Sequence, residues 1–485
     1  MLRGSSRNGA MAVRTHRHGG ARWRAQSRRR RFAGLALLAL AACGGQSAPP
    51  SSTDPRSLAA PNAAASAQLG GVAGERPAGP PESVGSSPVD QAIARWAARA
   101  ERSPKDDGNW TQLGDAFMQK ARETMDGSFY ARAEQAFERA LTLAPSNAEA
   151  AVGLAWVHGC RHDFEASIEW AKKALAVDPQ NAAAHGLIGD ALVEMGDYAG
   201  ARQHYRTMVE LRPDLSSYSR TAHLLHISGD SRAAIFLMRQ AIASGGPYAE
   251  NTAWCRAQLA QIYLDTGNLA AAAQVVGEAL ARTPHNVHVL VVAGRVRAAQ
   301  ADYAGAIDAY EHAAAIAPQH DVAVALGDLY RLQGRDGAAE QQYALVEAIH
   351  ALNQQNGIRG DVQIAQFRCD HDRNLPEALR IAEAAYASQP NVFVADTLAW
   401  CYHKNGRNED AKRTIANALS ERTPNATFLF HAGAIYAATG DRVPAQRFLS
   451  QALSLNPTFS PIAAPAAVAM LAQLGSKPPP SQPSS

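Results

Sequence analysis

The sequence predicts an all-α fold, a right-handed α-solenoid of about ten helix-turn-helix repeats. A pattern of small and large residues recurs along the chain with a period of about 34 residues, which is typical of such solenoids. Apolar residues make up 46% of the chain and alanine is frequent, as expected for helices. A solenoid grows by stacking repeats, so the 485 residues do not require several separate globular cores.

The repeats share a fixed spacing of glycine, alanine, aromatic residues and proline. The clearest copy consists of Trp110, Leu113, Gly114, Phe117, Ala133, Phe137, Ala140 and Pro145. Later copies end in Ala201, Tyr205, Met208 and Pro213; in Ala272, Val276, Ala279 and Pro284; and in Ala306, Tyr310, Ala313 and Pro318. This pattern resembles the tetratricopeptide repeat (TPR) family, which implies stacked helix pairs that bind other molecules on a concave surface.

Each repeat position has a predicted packing role. Gly114, Gly189 and Ala201 are expected where the two helices of a pair approach closely, because a larger side chain would not fit. Tyr205 and Tyr310 are expected to fill the space between neighbouring pairs. Turns are expected at Gly196-Asp197 and Gly267-Asn268, where glycine tolerates a positive φ.

The amino terminus predicts export. Residues 1–42 contain ten Arg and no acid, and they end in the apolar stretch Ala33–Ala42, which is too short to span a bilayer. A basic region, a short apolar region and small residues describe a signal peptide. The sequence Leu-Ala-Ala before Cys43 resembles a bacterial lipobox, which implies that Cys43 is lipidated and anchors the chain to the cell envelope.

The lipobox resemblance also implies a location. Gly44 follows the cysteine, which favours the outer membrane if the cell has one, with the folded part facing the periplasm or the exterior. The alternative is a soluble exported protein from which Cys43 is removed. Because the basic charge is concentrated in the removable segment and the remainder is acidic, nucleic acid is not an expected partner.

The predicted domain organisation follows the composition and the period. Residues 43–88 form a disordered Pro/Ser/Ala/Gly linker, 89–350 a TPR array with a capping helix and repeats 1–7, 362–470 the C-terminal repeats, and 471–485 a disordered tail. The period slips around residues 356–360, so 351–361 is a candidate hinge, with a loop of no special role as the alternative.

The sequence shows no catalytic or cofactor motif, and we expect a protein that is not an enzyme and has no cofactor, metal site or small-molecule substrate. The alternative is a metal-binding or hydrolytic site at His158, Cys160 and His162, since a helix would place the two histidines on one face. The repeat register instead makes His158 a packing position and His162 a turn position.

Four cysteines follow Cys43, all on predicted first helices of repeats: Cys160, Cys255, Cys369 and Cys401. Helix axes pack about 8–10 Å apart, whereas a disulfide needs Cα atoms within about 7 Å. We therefore expect buried thiols, and the pair Cys369–Cys401 on adjacent first helices remains the open alternative.

The TPR resemblance implies that first helices line a concave groove. The repeat positions that face it give the partner-groove candidates Asp115, Trp156, Asp190, Arg220, Trp254, Gln261, Arg295, Asp328, Arg331, Trp400 and His403. Exposed tryptophans would anchor a protein segment there, with packing of Trp156 and Trp400 against neighbouring repeats as the alternative. The lysine that grips a chaperone carboxyl terminus in TPR co-chaperones is missing from its position, so that ligand is not expected.

Taken together, these features predict a non-catalytic, membrane-tethered TPR scaffold or adaptor. It would bind a protein or peptide partner in its concave groove, within a cell-envelope or export assembly.

Overall fold

The computed structural model describes residues 87–246, 248–355, 357–359 and 361–475. The predicted signal peptide, the lipidation site Cys43, nearly all of the linker and the last ten residues lie outside these ranges. Within them the chain forms twenty-two α-helices and no strand, which confirms the predicted all-α solenoid.

The helices form ten consecutive pairs between one helix at each end. The end helices are α1 (Pro88–Arg102) and α22 (Ala463–Gly475). The first helices of pairs 1–10 are α2 (Asp107–Thr124), α4 (Ala148–Cys160), α6 (Ala182–Glu194), α8 (Leu215–Ile227), α10 (Ala249–Asp265), α12 (Val287–Ala299), α14 (His320–Leu332), α16 (Asp361–Asp370), α18 (Val392–Lys404) and α20 (Ala426–Ala438). The second helices are α3 (Ser128–Leu143), α5 (Phe164–Val177), α7 (Tyr198–Leu211), α9 (Ser231–Ser244), α11 (Leu269–Arg282), α13 (Tyr303–Ile316), α15 (Asp336–Gln355), α17 (Leu375–Ser388), α19 (Asn408–Ala418) and α21 (Arg442–Leu455).

Glycine on the first helix and an aromatic ring on the second bring the two helices of a pair together. A Cβ atom added to Gly114 would lie 2.5 Å from Phe137, and one added to Gly189 would overlap Tyr205. Tyr310 covers Gly294 in the same way. The tyrosines therefore fill the gap within their own pair. Each also shares a core cluster with the first helix of the next pair, Tyr205 with Leu224 on α8 and Tyr310 with Leu326 on α14.

One boundary differs from that predicted. Helix α22 continues to Gly475, so the predicted start of a disordered tail at 471 falls inside a helix. Its alanine-rich sequence favours helix, and its partly buried Met470, Leu471 and Leu474 pack against the preceding core.

No helix in the described part of the chain is long and apolar enough to cross a membrane.

The connections after pairs 8, 9 and 10 pack on the ends of first helices of pairs 3, 4 and 5, and we call this contact the seam. Asn391 Nδ2 donates to Glu194 O at 2.8 Å, and Asn456 Nδ2 donates to Leu264 O at 2.8 Å. Thr423 Oγ1 donates to Ile227 O at 2.6 Å. The last carbonyls of a helix lack partners within the helix. Asn391 and Thr423 therefore satisfy acceptors that would otherwise be unpaired, whereas Leu264 O also accepts from Gly267 N at 2.9 Å.

Close backbone contact at the seam requires glycine. A Cβ atom on Gly196, whose φ is 77°, would lie 2.7 Å from the main-chain oxygen of Pro390. One on Gly229 would lie 3.0 Å from the oxygen of Arg422. The turn glycines that the repeat predicts thus also allow one stretch of the solenoid to pack on another about five pairs away.

The interior of the solenoid also holds contacts between distant pairs. Arg122 on α2 makes a buried, bidentate ion pair with Glu250 on α10, at 2.7 Å between Nη2 and Oε1. Ile358, within the candidate hinge, is 4% exposed and packs in the cluster that contains Met118 and Leu187. The segment after α15 is therefore packed against the first repeats.

Cys369 on α16 and Cys401 on α18 form a disulfide, with Cα atoms 5.7 Å apart. The expectation of a thiol at each position was wrong because it used an average distance between helix axes. Opposite Cys401 on α18, helix α16 carries the small residue Ala365, whose main-chain oxygen lies 3.7 Å from Cys401 Sγ. Helices α16 and α18 therefore approach more closely than the average. Cys160 and Cys255 remain thiols.

Candidate functional site

A cavity of about 260 Å³ lies among the first helices of pairs 2–6, and we call it the inner cavity. It is lined by Tyr130, Gly159, Cys160, His162, Phe164, Asp190, Val193, Glu194, Tyr205, Arg220, His223, Trp254, Gln258, Gln261, His288, Val292 and Arg295. Five of the predicted groove residues meet here: Asp190, Arg220, Trp254, Gln261 and Arg295.

Two of these five residues form a buried ion pair. Arg220, which is 3% exposed, places its Nε atom 2.9 Å from both carboxylate oxygens of Asp190, and the Tyr205 hydroxyl donates to Asp190 at 2.7 Å. Burial raises the pKa of Asp190, while Arg220 and Tyr205 act in the opposite direction. Asp190, Arg220 and Tyr205 thus bond to one another, and they hold the wall of the cavity in place rather than offering groups to a ligand.

Gln261 and Arg295 form the polar rim. Arg295 Nη1 donates to Gln261 Oε1 at 2.9 Å, and its Nη2 lies 3.0 Å from Asp321. Gln261 Nε2 donates to Asp265 at 2.7 Å. Because the Arg295 side chain is 42% exposed, it is available to a molecule that approaches the cavity from solvent.

Four further polar side chains face the inner cavity from α6, α8, α10 and α12: Glu194, His223, Gln258 and His288. None of them makes a side-chain hydrogen bond to another residue in the described part of the chain. Burial, together with the charge of Asp190, raises the pKa of Glu194 to about 8. Burial lowers the pKa of His223 to about 4 and also lowers that of His288, so all four groups are uncharged near neutral pH.

The sequence analysis missed these four residues although helix spacing could have found them. Each lies on the same helix as a predicted candidate and three, four or seven positions away, which places both on one helix face. Glu194 follows Asp190 by four residues, and His288 precedes Arg295 by seven. The groove candidates were taken from only one or two repeat positions on each first helix, so the other residues on the same inward-facing side of the helix were left out.

The three predicted anchor tryptophans are buried. Trp156 is 3%, Trp254 5% and Trp400 8% exposed. The alternative of packing against neighbouring repeats, stated for Trp156 and Trp400, therefore describes those two residues. Trp400 Nε1 donates to Asp370 at 2.8 Å, and its ring stacks on His431 at a centroid distance of 4.1 Å. Only Trp254 of these three lines the inner cavity.

The other candidates do not line the inner cavity. Burial, with a contribution from Glu149, raises the pKa of Asp115 to about 7. Asp328 accepts hydrogen bonds from Tyr343 at 2.8 Å and from His371 at 2.7 Å. Arg331 pairs with Glu340, and His403 Nδ1 lies 2.7 Å from Asn408 Oδ1.

The structure does not have the shared helix face on which the alternative metal site at His158, Cys160 and His162 was based. Helix α4 ends at Cys160, and His162 has a φ of 60°, so His158 and His162 do not share a helix face. His158 Nδ1 lies 3.5 Å from Asp163, and His162 stacks on Phe164. Across the described ranges, no three His, Cys, Asp or Glu side chains are grouped as metal ligands.

Comparisons with known protein families find the repeat that the sequence pattern resembles. Tetratricopeptide repeat models match residues 161–222 and residues 118–175 and 257–321. No curated protein sequence matches the chain.

Solved structures with a similar fold include several TPR proteins. A thermophilic TPR protein of Thermus thermophilus is 21% identical over 42% of this chain and 99% of its own, with a TM-score of 0.34. A tetratricopeptide repeat protein of Parabacteroides merdae is 18% identical over 54% and 99%, with a TM-score of 0.32. The human IFIT1 dimer is 15% identical over 76% and 87%, with a TM-score of 0.42. These structural likenesses are distant, and the tetratricopeptide repeats of this chain are those that the family models match, at residues 118–222 and 257–321.

Proposed function

We propose that this chain is a non-catalytic scaffold or adaptor that binds a segment of a partner protein in the inner cavity. TPR repeats support a general role in protein interaction. The observation that carries the proposal is the set of four polar side chains, Glu194, His223, Gln258 and His288, which face one cavity without hydrogen-bond partners in the described protein. Polar groups that have no partner within the protein and line a concave site can orient a bound molecule.

The walls of the inner cavity are suited to a preorganised site. The Asp190–Arg220 pair joins α6 to α8, and Arg295 joins α12 to α10 through Gln261. Side chains held by other side chains lose little freedom when a ligand binds, which lowers the entropic cost of association. The site therefore favours binding without rearrangement of its helices.

We propose further that lipidated Cys43 tethers the scaffold to the cell envelope, where it serves an envelope or export assembly. The Cys369–Cys401 disulfide supports this location because such bonds persist in oxidising compartments. The Pro/Ser/Ala/Gly composition of residues 44–88 predicts a tether with an end-to-end distance of roughly 35–40 Å. Mass spectrometry of the mature amino terminus distinguishes an acylated Cys43 from a soluble exported chain that lacks it.

Site-specific photocrosslinking in intact cells tests the binding function. A photoreactive residue at Gln261, on the rim, is expected to capture one defined partner protein. The control position is Phe236 on α9, which is 61% exposed and does not line the inner cavity. Capture of the same partner with equal yield at both positions, or no specific capture at Gln261, would contradict the proposal.

A further inference from the structure

The inner cavity has a second cavity next to it, and the two share wall residues. The second cavity, of about 350 Å³, lies at the seam and is lined by His162, Glu194, Arg359, Val362, Gln363, Ala384, Ala385, Ser388, Gln389, Asn391, Phe393 and Val394. His162 and Glu194 line both cavities. Phe393 is 41% exposed, so the seam cavity presents an aromatic side chain to solvent.

We propose that the two cavities together hold an extended, uncharged peptide segment, with an apolar side chain in the inner cavity and adjoining main-chain amides against Glu194, His223, Gln258 and His288. This inference rests on the proposed binding function and adds the chemical class of the ligand. It distinguishes a neutral internal segment from a charged chain terminus and from a sugar.

The side chains of the inner cavity match a peptide amide. Gln258, neutral histidine and a protonated carboxyl group each offer both a donor and an acceptor, and a main-chain amide has one of each. Tyr130, Phe164, Val193, Trp254 and Val292 supply apolar wall surface for a side chain. A sugar carries hydroxyl groups around its whole rim and would leave several of them unpaired against these walls.

The enclosed part of the inner cavity disfavours a charged ligand, and Arg295, the charged residue on its exposed rim, already pairs with Asp321. Asp190 and Arg220 already neutralise each other, so neither is free to pair with a bound ion. The same environment favours the neutral form of an acid, Glu194, and of two bases, His223 and His288. An environment that disfavours both signs of charge imposes a desolvation penalty on a ligand carboxylate or ammonium group.

The sizes of the cavities favour a segment over a free small molecule. Sites for drug-sized ligands usually enclose about 300–1,000 Å³, and the inner cavity alone encloses about 260 Å³. It therefore accommodates one anchor residue, and the adjoining seam cavity gives the flanking residues a path past Glu194.

Titration of purified full-length protein with three small probes at neutral pH, followed by calorimetry or NMR, tests this inference. The probes are N-acetylphenylalaninamide, which is neutral, N-acetylphenylalanine, which is an anion of similar size, and glucose. We expect the neutral amide to bind at least about tenfold more tightly than the anion, since burying the carboxylate is unfavourable. Glucose is expected to bind more weakly than the amide.

Variants locate the binding. Gln258→Ala and His288→Ala each remove a hydrogen-bonding group that the proposal assigns to the ligand, and they are expected to weaken binding of the neutral probe about threefold to tenfold. The matched control is His285→Ala, an exposed histidine three residues before His288 that does not line the inner cavity.

Several results would overturn the ligand class. They are equal or tighter binding of the anion, preference for glucose, absence of binding by the neutral probe, or equal effects of His285→Ala and His288→Ala. Partner capture at Gln261 combined with any of these results would leave the scaffold function standing and reject the neutral segment. Failure of capture with binding of the neutral probe would instead reject the protein partner.

Discussion

The side-chain amide of Asn391 donates a hydrogen bond to the main-chain carbonyl of Glu194, a residue 197 positions earlier in the chain. Asn456 and Leu264 are joined by the same kind of bond across 192 positions. Repeat proteins are usually held together by contacts between neighbouring repeats only. Here the seam adds contacts across about five helix pairs, and one of them ends on a residue that lines both cavities.

The seam bonds can be removed without loss of the adjacent helix cap. Asn391 Oδ1 also accepts from Phe393 N and Val394 N at the start of α18, and aspartate can make those same bonds. Asn391→Asp removes the Nδ2 donor and places a carboxylate beside the Glu194 carbonyl. We expect the free energy of unfolding to fall by about 1–3 kcal/mol, measured by chemical denaturation.

The seam prediction has a matched control on the exposed surface. The Asn417 side chain on α19 is exposed, and among the described residues it donates only to the Tyr386 hydroxyl. Asn417→Asp should therefore change stability by no more than about 0.5 kcal/mol. The double variant Asn391→Asp/Asn456→Asp should also increase the radius of gyration in small-angle scattering. Unchanged stability and dimensions in the double variant would show that the seam does not hold in solution.

Arg220 is expected to act in stability, although its repeat position made it a candidate for partner contact. Arg220→Met leaves Asp190 as a buried, unpaired charge, which should lower the free energy of unfolding by about 3–5 kcal/mol. The double variant Arg220→Met/Asp190→Leu removes that charge and should recover most of the loss. An Arg220→Met protein that unfolds like the parent and only binds its partner less well would assign Arg220 to the ligand.

Glu194 should make stability depend on pH. Its folded-state pKa of about 8 lies above the ordinary value of 4.5. The stability it contributes is therefore complete below pH 4.5, declines as the pH rises and is lost above about pH 8. Glu194→Gln does not titrate, so the variant should melt near the parent temperature at about pH 5 and above it at about pH 8.5. The same difference in melting temperature at both values would show that Glu194 is ionised throughout.

The disulfide should stabilise the C-terminal pairs. Cys401→Ser, or reduction of the parent protein, is expected to lower the free energy of unfolding by about 2–4 kcal/mol. Reductant should have no further effect on the stability of Cys401→Ser, which serves as the control. Peptide mapping under non-reducing conditions checks the bond directly, and recovery of Cys369 and Cys401 only as separate peptides would contradict it.

The helix pairs could be predicted from sequence because their contacts are local. Gly189 and Tyr205 are sixteen residues apart, and the repeat spacing fixes both the close approach and the ring that covers it. A repeated local contact appears many times in one sequence, so each copy supports the others.

The seam and the cavity could not be predicted in the same way. Whether Asn391 reaches Glu194 depends on small rotations between successive pairs, which accumulate over about five pairs and leave no periodic signal. The exposure of Trp156 or Trp400 depends on how closely neighbouring pairs pack, and the repeat position does not specify this. The Cys369–Cys401 bond likewise depends on a local approach of α16 and α18 that average helix spacing does not give.

Hydrogen exchange of the protein bound to the partner captured at Gln261 tests the central claim most directly. The account predicts slower exchange on binding in the first helices α10 and α12, which carry Gln258 and His288, and unchanged exchange in the second helices α9 and α11. Slower exchange confined to α9 and α11, or no change in α10 and α12, would show that the partner binds elsewhere and that the inner cavity is not its site.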